Sequence, residues 1–152
     1  MTDQEARAGD DDLVGELLEV TRRVHQVVSA VAARHDLTPQ QVELLRMLDK
    51  PVSMRAFAED LSCDPSNVTG LVDRVERLGL VERVSEPRDR RVRVLTLTAR
   101  GRRLRDRVNY DIARGVRDAL GLAPDDSRGV ARLLGTMHPE PHGRGCGTDP
   151  NR

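Results

Sequence analysis

Residues 63–98, CDPSNVTGLVDRVERLGLVERVSEPRDRRVRVLTLT, decide the fold of this chain. The pair Asp64-Pro65 predicts a helix start, because Asp64 can accept the otherwise unbonded amide of Asn67 and proline suits the first helical position. Gly79 predicts a left-handed stop to that helix. Between them, apolar residues recur at helical spacing and form one stripe, at Val68, Leu71, Val72, Val75 and Leu78.

The opposite face of this predicted helix carries the residue types that contact DNA. Short hydroxyl and amide groups at the front of a helix can bond to base edges in a major groove, and arginines behind them can reach bases or phosphates. We therefore predict DNA contacts from Ser66, Asn67, Thr69, Gly70, Arg74 and Arg77.

Two β-branched runs follow, at residues 81–84 and 93–97, with a charged segment between them. This pattern predicts a hairpin whose tip carries Arg88, Asp89, Arg90 and Arg91. A helix-turn-helix followed by a basic hairpin is a winged helix, and the three arginines of this wing are further predicted DNA contacts. The alternative is an amphipathic helix and a solvated hairpin without a partner. DNA binding is favoured because the groove-facing residue types and the arginine tip occur together.

Apolar patterns also flank the winged helix. A heptad-type seam precedes it, at Leu13, Leu17, Val20, Val24, Val27 and Val31. After the wing, Thr98 can cap a long helix that Gly121 ends, and a shorter helix is predicted over residues 125–137. The small winged helix cannot cover all these faces, so pairing with a second subunit would bury them. For the first seam, a lone helix packed on its own core remains the alternative.

The predicted fold class is mainly α with a small β-hairpin wing, a winged helix-turn-helix flanked by dimerisation helices. Capping signals at Thr38 and Ser53 begin the two helices before the opening stretch. We predict dimerisation helices at residues 12–35 and 99–136 and the DNA-binding domain at 36–98. Residues 1–11 and 138–152 are predicted to be disordered tails, because they lack apolar periodicity.

Charge is segregated along a chain whose formal net charge is zero. Residues 1–20 hold seven acids against Arg7, whereas residues 83–107 hold ten arginines against three acids. A nonspecific, architectural DNA-binding protein would be basic throughout, so this distribution favours one local nucleic-acid site. Aromatic residues make up 1% of the chain, which argues against base stacking on aromatic platforms.

Other classes of protein find little support in the sequence. It contains no glycine-rich phosphate loop, no G-x-S-x-G, no H-E-x-x-H and no Cys-x-x-Cys pair, so we predict no enzyme activity and no cofactor. A winged helix used for protein contact would have no particular use for arginines at the wing tip. Two distant cysteines fit a reducing cytosol, and without an apolar leader or an apolar run near eighteen residues we expect a cytoplasmic protein.

The order of these elements resembles the MarR family of transcriptional regulators over roughly residues 12–136. The segment 66–101, SNVTGLVDRVERLGLVERVSEPRDRRVRVLTLTARG, carries the specific part. Its matches to the family's recognition helix, helix exit and wing are Asn67-Val68-Thr69, Asp73-Arg74, Gly79-Leu80-Val81, Asp89-Arg90-Arg91, Leu97-Thr98 and Gly101. The resemblance implies a homodimeric regulator of transcription, usually a repressor. Such a dimer is expected to bind double-stranded DNA at a pseudo-palindromic operator. It also implies that Asp89 orients a wing arginine and does not touch DNA.

Family members often release DNA on binding a small aromatic or phenolic acid, or on oxidising a cysteine. Polar candidates for a small anionic effector are Arg22, His25, His35 and Arg46, although ordinary surface or helix roles explain them equally well. Cys63 lies in the predicted turn before the recognition helix, where the helix N-terminus lowers a thiol pKa and the neighbouring Asp64 raises it. We predict a small core or turn residue and no redox control. His138, His142 and Cys146 are spaced for a metal but lack a fourth ligand, so we predict no metal site.

Overall fold

The computed structural model describes residues 3–60, 65–86 and 93–137. The helices are α1 (Asp3–Arg34), α2 (Pro39–Met47), α3 (Met54–Asp60), α4 (Pro65–Arg77), α5 (Ala99–Leu120) and α6 (Pro124–Met137). The strands are β1 (Val52–Ser53), β2 (Val81–Ser85) and β3 (Arg93–Leu97). The chain is thus mostly helical with one small antiparallel sheet, which confirms the predicted fold class.

The sheet has the order β1-β3-β2 and forms the base of the wing. Strands β2 and β3 pair antiparallel, with Arg83 opposite Leu95, so the predicted hairpin strands are confirmed. Strand β1 was not predicted: Val52 and Ser53 pair with Leu95 and Val94 on the other side of β3. Two residues are too short for alternation to reveal a strand.

Local signals fix most helix ends as the sequence predicts. Thr38 and Gln41 form a reciprocal capping box at the start of α2, and the Ser53 hydroxyl accepts a hydrogen bond from the amide of Ala56. The Thr98 hydroxyl accepts from the amide of Gly101 at the start of α5. Gly121, at φ 64°, ends α5 in the left-handed conformation that a glycine adopts without strain.

Helix α1 starts earlier than predicted. Residues 1–11 were expected to be a polar tail, whereas the structure begins α1 at Asp3. Ala6 and Ala8 have high intrinsic helix propensity, which favours the longer helix. Residues 138–152, the other predicted tail, lie outside the described residues.

One hydrophobic core joins the flanking helices to the winged helix. Val31 of α1 and Val108 of α5 are buried in the same cluster as Leu44 and Leu45 of α2 and Phe57 of α3. From α4 and the wing the cluster takes Val68, Leu71, Val72, Val75, Leu80, Val81, Leu95 and Leu97. The segments 12–35, 36–98 and 99–136 therefore share a core within this single chain.

Leu78 does not belong to the α4 stripe as predicted, since its side chain is 40% exposed. Helix α4 ends at Arg77, and the chain turns at Gly79, whose φ is 68°. Leu80, beyond the turn, is buried in the core that Leu78 was expected to enter.

Candidate nucleic-acid interface

Helix α4 separates its two faces clearly. Val68, Leu71, Val72 and Val75 are buried against the core, which fixes the orientation of the helix. On the other side Thr69, Arg74 and Arg77 are exposed, and Gly70 is half-buried. Four of the predicted DNA contacts thus lie on or beside the solvent face of a rigid helix. Ser66 and Asn67 lie in the first turn of α4, and their side chains fall outside the described part of the chain.

The exit of α4 is tied to the wing and to α5 by a compact set of hydrogen bonds. The amide of Leu80 donates to the carbonyl of Val75 at 3.2 Å, which closes the turn through Gly79. The Thr98 amide donates to the carbonyl of Leu80 at 3.0 Å, and the Thr98 hydroxyl lies 2.8 Å from the carbonyl of Gly79. One threonine thereby caps α5 and holds the end of β3 on the turn that leaves α4.

A second link between α4 and the wing is ionic. Arg83 of β2 pairs with Asp73 at 2.5 Å and also with Glu76, both on α4. Asp73 and Glu76 are three residues apart, so they lie one above the other on one side of the helix. The sequence did not indicate this group, because it depends on how β2 crosses α4.

The wing tip itself lies outside the described residues. Arg88, Asp89, Arg90 and Arg91 all fall within residues 87–92, so their predicted DNA and wing-orienting roles remain predictions. At the described base of the wing, Arg93 is exposed, and Arg100, Arg102, Arg103 and Arg107 are exposed on the first turns of α5. Exposed arginines thus stand on α4, at the described base of the wing and on the first turns of α5, as expected of a protein that binds phosphates.

A cleft lies on another side of the chain, between α2, α5 and α6. Its volume is about 610 Å³, within the range of small-molecule sites. Met47, Ile112 and Val116 form part of an apolar wall, and Arg46 and Arg117 supply positive charge. Glu43 also lines the cleft and pairs with Arg46 at 3.5 Å. The hydroxyl oxygen of Ser127, also on the wall, is buried and has no hydrogen-bond partner. Two arginines against one carboxylate leave an excess of positive charge, which suits a ligand with an apolar body and an anionic group.

Of the four predicted effector-binding residues, Arg46 lies on the wall of this cleft and the other three do not. Arg22 bonds to Glu19, and this hydrogen bond is the chief reason that the pKa of Glu19 is lowered to about 2. The Nδ1 atom of His25 lies 3.2 Å from the carbonyl oxygen of Thr21 on the same exposed helix. Both residues are engaged on the surface of α1.

His35 joins the end of α1 to α5. Its Nε2 atom lies 2.9 Å from Oδ2 of Asp111, in a partly buried pair. The hydrogen bond with His35 lowers the pKa of Asp111 below its usual value. Arg117, a cleft residue that sequence reasoning missed, can be recognised only once α2, α5 and α6 are seen to surround one cleft.

Other sites considered in the sequence fall largely outside the described chain. Cys63, His138, His142 and Cys146 lie there, so their predicted roles stay predictions. Within residues 3–60, 65–86 and 93–137, no three His, Cys, Asp or Glu side chains are grouped to hold a metal ion. None of the described helices is both long enough and apolar enough to cross a membrane.

Comparison with known proteins places this geometry among DNA-binding regulators. The MarR family model matches residues 37–92. The homoprotocatechuate degradative operon repressor of Escherichia coli is 30% identical over 109 residues, which are 70% of this chain and 74% of that protein. The transcriptional activatory protein BadR of Rhodopseudomonas palustris is 34% identical over 91 residues, which are 57% of this chain and 52% of BadR. The chain thus spans about half the length of BadR.

Among solved structures, CouR from Rhodococcus jostii RHA1, bound to p-coumaroyl-CoA, aligns with a TM-score of 0.70 and 29% identity. The alignment covers 85% of this chain and 91% of that chain.

Proposed function

Because this chain belongs to the MarR family of transcriptional regulators, we propose that it represses transcription as a homodimer bound to a pseudo-palindromic operator and that a small ligand releases it. Members of this family are transcription regulators and not enzymes. The observation that carries the proposal is the division of α4, whose apolar face is buried in the core while Arg74 and Arg77 are exposed on the opposite side. A regulator of this kind acts on DNA in the cytoplasm.

Exposed apolar side chains support the dimer. In the single chain Leu13 is 55% exposed and Leu17 52%, whereas the same seam becomes buried further along α1, at Val31. On α6, Leu133 and Leu134 are 57% and 49% exposed. Contiguous apolar faces of this kind typically mark interaction surfaces, and a second copy offers the same faces in return.

Two recognition helices related by a twofold axis would meet successive major grooves. Half-sites are therefore expected about one helical turn, roughly 10 base pairs, apart. Repression rather than activation is proposed from the E. coli relative, which is named as an operon repressor, although BadR is named as an activatory protein.

The cleft between α2, α5 and α6 supports ligand control. Arg46 and Arg117 can pair with an anionic group, while Ile112 and Val116 can contact an apolar or aromatic body. CouR is described with p-coumaroyl-CoA bound, which suggests an aromatic acid or its thioester as the ligand class for this chain. The cleft borders both α2 and the long α5, so an occupant could alter the spacing of the DNA-binding halves.

A gel-shift with the DNA upstream of the protein's own gene tests the function. We expect a shifted band that survives excess random DNA and gives a footprint of two half-sites. Loss of the band with competitor, or a footprint over one half-site, would contradict the proposal. Adding p-coumaroyl-CoA or benzoate then probes release, and an Arg46→Ala, Arg117→Ala double variant should need a higher ligand concentration.

The dimer is tested by sedimentation at micromolar protein. We expect a single species of twice the chain mass, and Leu13→Glu with Leu17→Glu should dissociate it. A folded wild-type monomer at that concentration would refute the dimer without bearing on the family.

A further inference from the structure

We propose that Arg83 is a positioning residue for DNA recognition: it locks the recognition helix α4 to the wing and neutralises two carboxylates beside the DNA-facing arginines, without contacting DNA itself. This inference rests on the proposed function. It assigns a role to a residue of β2 that is not among the predicted DNA contacts.

Arg83 bridges two carboxylates of α4, and the arrangement of Arg83, Asp73 and Glu76 is called the clamp below. One terminal nitrogen of its guanidinium pairs with Oδ1 of Asp73 at 2.5 Å, and the other pairs with Oε2 of Glu76. A planar guanidinium holds two acceptors in a fixed relation, which the point charge of a lysine cannot do. The Arg83 side chain is 27% exposed, so the pairs are partly shielded from water and salt.

Both ends of the clamp stand on rigid supports. Arg83 lies opposite Leu95 in the β2–β3 ladder, and Leu95 is fully buried. Asp73 and Glu76 stand on α4 beside Val72 and Val75, which are fully buried. Ion pairs between these two elements resist rotation of α4 about its own axis relative to the wing. Such a rotation would displace all the base-contacting side chains of α4 together.

The clamp also controls charge at the interface. Asp73 precedes Arg74 in the chain, and its backbone carbonyl accepts a hydrogen bond from Nε of Arg77. Arg83, Asp73 and Glu76 together carry a formal charge of −1, which becomes −2 when Arg83 is lost. Carboxylates near a phosphate backbone oppose binding of any DNA sequence.

Arg83→Ala therefore has two separable effects. Loss of alignment should weaken operator binding about tenfold to hundredfold, the scale of one lost bidentate base contact. The added negative charge should weaken binding to random DNA only about threefold, because partly exposed charges are screened. The slope of log affinity against log salt should fall by well under one unit, since only a screened charge is added and no phosphate contact is removed.

Three comparison variants make the effects distinguishable. Adding Asp73→Asn and Glu76→Gln to Arg83→Ala leaves all three side chains uncharged, so random-DNA binding should return to at least the wild-type level while operator binding stays weak. Arg83→Lys keeps the positive charge but lacks the two donor nitrogens of the guanidinium. This variant should bind random DNA as wild type does and lose an intermediate part of its operator affinity. Arg128→Ala, which removes an arginine from an exposed pair with Asp125 on α6, controls for net charge and should behave as wild type.

The experiment is titration of operator and random DNA at several salt concentrations with each folded full-length variant. Thermal unfolding checks the fold, and Arg83→Lys carries the test if Arg83→Ala does not fold. The proposal would be overturned by an equal loss of affinity for both DNAs or by an unchanged affinity for the operator. A slope of log affinity against log salt lowered by about one would also overturn it, because Arg83 would then contact a phosphate. Wild-type protein that fails to prefer its operator would instead overturn the proposed function, and the positioning role with it.

Discussion

Replacing Gly101 by alanine should unfold the joint between the recognition helix, the wing and α5. A Cβ at this position would lie 1.9 Å from the carbonyl oxygen of Leu80 and 2.9 Å from its carbonyl carbon. Ordinary contact begins near 3.4 Å, so the two backbones would have to separate by roughly 1.5 Å. Neither can move freely, because Leu80 is buried and its carbonyl accepts the amide of Thr98, the cap of α5.

The expected cost is large for one methyl group. Overpacking against side chains typically costs about 1–3 kcal/mol, and a clash with backbone that also breaks a cap should exceed that, at about 4 kcal/mol or more. This is a major share of a domain's usual stability of about 5–15 kcal/mol. Urea denaturation followed by circular dichroism, at one fixed protein concentration, measures the free energy of unfolding.

A second glycine of α5 is the matched control. At Gly115 a Cβ would lie 2.7 Å from a side-chain methyl of Val27, so a shift of roughly 0.7 Å by a side chain would relieve the contact, against roughly 1.5 Å between two backbones at Gly101. Gly115→Ala should therefore cost much less, offset in part by the better helix propensity of alanine. If Gly101→Ala lay within about 1 kcal/mol of wild type, the close approach that organises this joint would be refuted.

Three further predictions follow from separate parts of the chain. A Cβ added at Gly70 would meet no atom within 4 Å in the free protein, so Gly70→Ala should raise the free energy of unfolding by about 0.5–1 kcal/mol in urea denaturation. The same variant should bind the operator more weakly in a DNA titration if α4 approaches DNA closely. The lowered pKa of Asp111 means that its stabilising effect is present above the ordinary value of 3.8 and is lost as the pH falls through the lower folded value. Asp111→Asn should therefore flatten the acid dependence of unfolding below about pH 4, and an unchanged acid limb would contradict this. Ser127→Ala should leave stability unchanged or slightly higher in the unliganded protein, because the buried hydroxyl has no partner there, and a loss above about 1 kcal/mol in urea would contradict this.

Much of this fold was predictable because its signals are local. The stripe from Val68 to Val75, the glycine stops at 79 and 121 and the cap at Thr98 each act within one or two turns of chain. The exceptions have local causes too. Leu78 fits the helical period but lies after the last residue of α4, so it faces solvent.

The features that escaped prediction depend on contacts between distant segments. Val52 and Ser53 form a strand only because β3 presents a free edge to them. The pairing of Arg83 with Asp73 and Glu76 depends on the angle at which β2 crosses α4, and periodicity carries no information about that angle. Arg117 belongs to the cleft only because α2, α5 and α6 surround the same space.

The same limit applies to the predicted effector residues. Arg22 and His25 were chosen for their chemistry, and the structure shows that both contact neighbours on their own helix. A polar residue type alone does not indicate whether it faces a cavity.

The most direct test of α4 as the recognition helix compares its variants with wing variants on two DNAs. Asn67→Ala and Arg74→Ala should each cost about 1–3 kcal/mol on the operator and little on random DNA. Replacing both Arg90 and Arg91 by alanine should weaken binding to operator and random DNA alike. The slope of log affinity against log salt concentration should fall by about one unit per lost phosphate contact. Equal losses on operator and random DNA for the Asn67 and Arg74 variants would contradict the assignment of α4 as the element that recognises sequence.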